Sequence, residues 1–397
     1  MALSLFRVQR PHPTLSATTG LPVRCQTPLL FSCMTLRSQE VAMTDSVQLD
    51  QMSPGGIFEI SAGAPRSYRG LTVFPLISEP RSPLPYDLLL DAIGEGSLKI
   101  REVRSGTVPN LLAHNVGTTD VLILDGEQLI GARQNRITNR SILLAAGAKT
   151  EIPVSCMEQG RWHFTSEEFA PAPKARHAPT NVRRHAKFAE MEVAVATGRG
   201  RRDSAAMAQG QVWNSISELS DRLGGRSDTG AMDEVYDHLD TDLESWLAHF
   251  PSEPGQVGLL AFLGSRPLAI DALGCSELWA RVHRRFLGGY VMDALAWQGG
   301  ATAGSTALDT PDEHAAEIFL AAVAGARRIE SDTVGSGTYR VLAGAAIGGE
   351  LIVDGVGDPR LVHLSAFPSD DDRRGTRPVN HQDEGSPLAP PSRRRST

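Results

Sequence analysis

The chain has 397 residues, of which 41% are apolar and 21% charged, with 39 lysines and arginines against 46 aspartates and glutamates. That length holds two domains with sizeable cores, and a formal charge of -7 argues against binding nucleic acid through overall basicity. Four cysteines without CxxC or Cys/His ligand spacing argue against a disulfide framework and a zinc site, so no metal is expected.

No apolar run reaches the ~18 residues of a membrane-spanning helix, so no membrane partner is expected and the reading is a reducing cytoplasm. Residues 1–39 carry Arg7, Arg10, Arg24 and Arg37 and no acidic residue. That composition fits either a transit peptide or an upstream stretch before a true start at Met43. Residues 1–55 are set apart as disordered or a mis-assigned start.

A β-rich domain is expected over 56–168. "GLTVFPLI" (70–77) reads as a buried strand. Leu84, Leu88, Leu89 and Ile93 are spaced as a helix, followed by strands at 98–103 and 110–116. In "TDVLILDGEQLIGA", Asp125-Gly126 between two apolar runs predicts a hairpin with a type I′ turn. "ITNRSILLAAGAKTEIPVSCME" gives two more strands, split at "AAGAK". The fold class is α+β: a mainly antiparallel, sandwich-like first part, a helical middle and an α+β last part.

Residues 169–203 form a basic linker and helix, with Lys174, Arg176, Arg183, Arg184 and Lys187 before Arg199, Arg201 and Arg202. Docking on an acidic helix and contact with a nucleic-acid backbone are both open for it, and docking is preferred. An α+β domain follows over 204–368. Ser204 caps one helix, and Met232, Val235, Tyr236, Leu239, Leu243, Trp246 and Phe250 line another at 231–250, whose other face is acidic. A hairpin turns at Gly264-Ser265, Ser276 caps a long helix, and Asp312-Glu313 start a helix over 311–326. Three strands close the domain, with "GDPR" as a turn, and 369–397 is a disordered tail.

Chemistry concentrates in two places. "DGEQLIGARQNR" (125–136) sets Gln134, Asn135 and Arg136 side by side. Alternation leaves both faces polar, which suits either a loop at a sheet end or a surface for an anionic ligand. "SCMEQGRWHF" (155–164) offers Cys156 as nucleophile with Glu158 nearby, although unpaired cysteines are usually buried and inert. The weak catalytic candidates are Cys156, Glu158 and Glu127. The ligand-binding candidates are Glu127, Gln134, Asn135, Arg136, Glu158 and Arg161. No phosphate-loop, HExxH or GxSxG motif occurs, and the residues name no cofactor.

Four stretches, 125–136, "IPVSCMEQGRW" (152–162), "GQVWNSISELSDRLGGRSDTGAMDEVY" (210–236) and "VGLLAFLGSRPLAIDAL" (257–273), together resemble the family named for its association with ARG and Rhodanese-Phosphatase-superfamily proteins. The resemblance covers about residues 68–366. It implies a bacterial or archaeal domain of unknown function, linked by gene association to conflict and phage-defence systems, and it assigns no roles. Matching positions are Asp125, Gly126, Glu127, Gly131, Gln134, Asn135, Arg136, Ser155, Cys156, Glu158, Arg161 and Trp162. Three functions stay open: recognition of a nucleotide-like or other anionic ligand, catalysis on such a substrate, and protein–protein interaction.

Overall fold

A computed structural model describes residues 59–369 apart from 80–84, 104–108, 159, 161–164, 173–175, 196–199, 225–229, 301–309 and 355–358. All of them belong to one compact unit, Val47–Thr397. The expected extended termini fall almost wholly outside these residues, as do Arg161, Trp162, His163, Lys174 and much of the "GDPR" turn.

The first part of the chain forms β1 (Ser61–Ala62), β2 (Arg66–Tyr68), β3 (Leu71–Ile77), β4 (Tyr86–Leu88), α1 (Leu89–Gly94), β5 (Leu98–Glu102) and β6 (Asn110–Asn115). Then come β7 (Asp120–Ile123), β8 (Gln128–Gly131), β9 (Arg136–Thr138), β10 (Ile142–Leu144), β11 (Lys149–Cys156) and β12 (Phe169–Pro171). The helical middle is α2 (Thr180–Val195), α3 (Gly200–Leu223) and α4 (Met232–Leu247). The chain closes with β13 (Gln256–Leu263), β14 (Arg266–Leu273), α5 (Ser276–Gly300), α6 (Glu313–Ala324), β15 (Arg327–Ser331), β16 (Thr338–Ala343), β17 (Ala346–Val353) and β18 (Arg360–Pro368). This is the α+β class. No helix of the described residues is long and apolar enough to cross a membrane.

An antiparallel nine-stranded sheet runs β1-β3-β13-β14-β18-β17-β16-β15, with β2 also on β3. It pairs strands from both sides of the 169–203 segment, so the β-rich first stretch and the last α+β stretch share a core. Alternation assigns its two faces. Leu71, Val73, Leu259 and Ala261 join the cluster that holds Trp279, Phe286 and Tyr290 of α5. Phe74, Leu76, Leu260 and Phe262 join Phe319 and Leu320 of α6. Asp312 caps α6 as its position suggests, accepting from Ala315 N at 2.9 Å.

The other strands form a six-stranded sheet, β12-β8-β9-β11-β6-β5, and a three-stranded one, β10-β7-β4. Together with α1 they enclose a third core that includes Leu98, Leu111, Ile123, Leu129, Ile152 and Phe169. Arg101 of β5 donates to Glu168, just before β12, at 2.9 Å, and so links the two ends of the larger sheet.

Several local expectations change. Ser204 lies inside α3, which begins at Gly200. The helix expected near 84–93 is only Leu89–Gly94, preceded by a strand. Strand β15 had no apolar alternation to announce it, since Arg327, Arg328 and Glu330 fill it. The Asp125-Gly126 turn is real, but it does not close a hairpin. Strand β7 pairs with β4 and β10, whereas β8 pairs with β9 and β12. The turn expected there has two positive φ values, and it occurs instead at Arg69-Gly70, with φ 46° and 89°, between β2 and β3. Pairing follows whichever partner buries both faces of a strand, and a local Asp-Gly signal does not encode that.

Gly126 has φ +76°, and a Cβ there would lie 2.7 Å from both Arg183 Cδ and His177 Cε1. Gly126→Ala therefore combines backbone strain with overpacking. It is expected to cost about 1–3 kcal/mol, read as a lower denaturant midpoint. An unchanged midpoint would show that this turn does not hold α2 closely.

Candidate functional site

The two distinctive motifs meet at the junction of β9 and β11. Cys156 pairs with Arg136 in the ladder, and Met157 N donates to Asn135 O at 2.9 Å. Gln134 Nε2 donates to Glu158 O at 2.8 Å, and Asn135 N donates to Glu158 Oε2 at 3.3 Å. Asn135 Oδ1 accepts from Gly131 N at 3.1 Å, closing the loop 131–135, in which Ala132 holds φ +44°. The amides thus satisfy backbone groups at a sheet end, the first of the two accounts open for this stretch.

Arg136 is 1% exposed. Its Nη1 donates to Gln134 Oε1 at 2.9 Å and to Cys156 Sγ at 3.0 Å. Among the described residues its nearest carboxylate, Glu102 on β5, is 3.5 Å away, and its Nε has no hydrogen-bond partner. Cys156 is fully buried, and burial pushes its thiol up to about 11, so little thiolate exists near neutral pH. Gln209 of α3 pairs with the Cys156 backbone, accepting from N at 2.8 Å and donating to O at 3.0 Å.

Glu127 stands apart from that group. Its Oε2 accepts from Leu124 N at 3.1 Å, and its Oε1 lies 3.8 Å from Arg285 of α5. Burial raises its carboxyl to about 7 against the opposing pull of Arg285. The described candidates therefore divide: Gln134, Asn135, Arg136, Cys156 and Glu158 come together, Glu127 lies apart near Arg285, and a second assembly gathers other residues.

That second assembly centres on Arg183 of α2, which is fully buried. The guanidinium grips Asp271 of β14 with two bonds, at 2.8 and 2.6 Å, and also reaches Asp125 at 3.2 Å and Ser365 at 2.8 Å. One helical turn on, Lys187 Nζ lies 2.7 Å from Asp125 Oδ2 and donates to Tyr339 at 3.1 Å. Tyr290 donates to Asp271, and Ser141 Oγ sits 2.6 Å from His363 Nδ1. The rings of Phe286 and Phe367 flank the guanidinium at 5.4 and 5.3 Å.

Burial alone would raise both carboxyls. Lys187 and Arg183 hold Asp125 well below the usual carboxylate range, and Arg183 holds Asp271 down to about 2. Donor atoms of Asp125, Asp271 and His363 lie within 4.8 Å of one another, a spacing that suits a metal ion. Here the guanidinium stands between the two carboxylates and the ammonium takes the other oxygen of Asp125, so protein cations fill that place.

Sequence reading missed this assembly because its members lie far apart, at 125, 183, 271 and 363. The usable signal was the pair Arg183 and Lys187, four residues apart on a helix with apolar neighbours. The same segment docks on the acidic helix: Arg176 meets Asp233 at 2.6 Å, together with Asp237 and Asp240 of α4.

Arg183→Met leaves two buried carboxylates facing each other and is expected to cost about 3–5 kcal/mol at pH 7. The wild type loses the Arg183 contribution in acid, because a carboxyl held low gives stability above its unfolded value and loses it as pH falls through the folded one. Denaturation at pH 7 and pH 3 should show the gap between the two proteins shrinking. A gap that stays constant would contradict this assignment of the charges.

Residues 59–367 match the family described as ARG and Rhodanese-Phosphatase-superfamily-associated Protein domain. No curated protein and no solved structure matches the chain. With the six described helices and, but for Pro368 at the end of β18, the described strands inside the matched span, the chain belongs to the ARG and Rhodanese-Phosphatase-superfamily-associated protein domain family.

Proposed function

We propose that the domain recognises a small anionic, nucleotide-like ligand at the Arg136 end of the six-stranded sheet, with Gln134, Asn135 and Glu158 around it. The observation that carries this reading is the poor compensation of Arg136. Arg183 has two buried carboxylates in direct contact, whereas Arg136, equally buried, has one carboxylate at 3.5 Å and otherwise bonds to an amide and a thiol. A buried guanidinium left this loosely paired favours an incoming phosphate or carboxylate, which suits its planar fork. Binding without chemistry is the better reading, because the raised thiol of Cys156 makes it a poor nucleophile. The gene association of the family supports a sensor or effector in a bacterial defence or stress system. The buried free thiols of Cys156 and Cys275 suit a reducing cytoplasm.

Melting in the presence of nucleotides, ADP-ribose and sugar phosphates tests the proposal. A ligand at 100 times its dissociation constant should add about 2.7 kcal/mol to the wild type and nothing to Arg136→Gln. Glu102→Gln removes the competing carboxylate and should tighten binding. Equal shifts in wild type and Arg136→Gln, or no shift across the panel, would reject the reading.

A further inference from the structure

Residues 125–128 and 176–178 form a short joint between the first motif and the start of α2. Glu127 and His177 make an isolated antiparallel bridge. Ala178 N donates to Gly126 O at 3.0 Å, and Gln128 Nε2 donates to Arg176 O at 3.2 Å. Tyr236 of α4 donates to His177 O. Helix α5 closes over the joint through Gly289, where a Cβ would stand 2.7 Å from Ala178 O. Phe286 of the same helix lies 4.3 Å from the His177 ring.

Two titratable side chains are shut inside this joint. His177 is 1% exposed, and its Nε2 lies 2.7 Å from Asp125 O. A carbonyl can only accept, so Nε2 carries the proton and donates. Nδ1 has no hydrogen-bond partner among the described residues, and a second proton there would be a buried N–H without an acceptor. The ring is therefore neutral. Burial and the neighbouring Arg183 push it down to about 3, against the pull of Asp125 and Asp271. Glu127 is 3% exposed, with one backbone N–H and, among the described residues, no cation within hydrogen-bond reach. Arg285 attracts it from 3.8 Å, while Asp125 and Asp91 of α1 repel its charge.

We propose that the Glu127–His177 joint is a latch that closes with both side chains uncharged and opens by moving one proton from Glu127 to His177 through water. The Glu127 O–H bond breaks and a His177 Nδ1–H bond forms. The opened joint holds a carboxylate and an imidazolium, and the total proton count is unchanged. This balance holds between the ordinary carboxyl value of 4.5 and the ordinary imidazole value of 6.5. Asp125 and Asp271 are ionised throughout that window, closed or open, and add no slope. The latch is thus indifferent to pH there, yet it answers to charge: an anion brought beside His177 favours the open form. It does not depend on a ligand at Arg136.

Hydrogen exchange of the 125–128 and 176–178 amides, corrected for intrinsic rates, tests the latch. Wild-type protection should be flat from pH 4.5 to 6.5. In Glu127→Gln only His177 gains a proton on opening, so protection should rise roughly 100-fold across that window. In His177→Gln only Glu127 loses one, so protection should fall roughly 100-fold. A sloping wild-type profile, or flat profiles in both variants, would overturn the proposal. Should a variant fail to fold, the 15N shifts of His177 in the wild type decide: a neutral ring protonated at Nε2 at pH 5 supports the latch, and an imidazolium overturns it.

Discussion

The fold depends on one guanidinium. Arg183 leaves the first turns of α2 and ends between Asp271 in the nine-stranded sheet and Asp125 in the loop after β7. Those carboxylates belong to different sheets, and neither tolerates burial without a cation. Their mutual repulsion would push the smaller sheets away from the large one. The guanidinium turns that repulsion into three-way attraction, and Lys187 completes the neutralisation. Docking of α2 and joining of the sheets are thus one event with a shared electrostatic condition.

Arg136 shows the opposite use of the same side chain. It is as deeply buried as Arg183 and sits in one of the motifs that carry the family resemblance, yet its bonds go mainly to neutral groups. Burial of charge is costly in both cases, and the Nε of each lacks a hydrogen-bond partner among the described residues, but only Arg183 has two carboxylates in direct contact. A fold spreads such costs to the places that hold it together. A site that keeps one partly uncompensated, next to a loop that also strains Ala132, carries a demand that a bound anion would meet.

Much of this fold was readable from pattern. Short apolar runs located β3, β6, β11 and the β13–β14 hairpin, and helical spacing located α4 and α5, because each of these elements carries its own core side chains. What failed depended on partners distant in sequence. The Asp125-Gly126 turn looked like a hairpin because its flanks were both apolar, yet each flank was claimed by a different sheet. Strand β15 is charged along its length because it lies at the sheet edge, and Glu350 of β17 takes up Arg328. At the candidate site, the adjacency of Gln134, Asn135 and Arg136 to Glu158 followed from neighbouring strands. The Asp125–Arg183–Asp271 centre did not, since charge pairing across 58 and 88 positions leaves no periodic trace.

The side chain of Gln209 covers part of a strand edge. Strand β11 outruns β6, whose pairing stops at Pro153. Beyond that point the backbone groups on this side of β11, left bare, would be open to any passing extended peptide. Pro109 O takes the N–H of Val154, and the Gln209 amide fills both polar groups of Cys156 as a third strand would. A helix side chain thereby takes the place of a strand beside Cys156. At Val154 and Cys156 this edge of the second family motif is closed to strand addition by another copy or by a peptide partner.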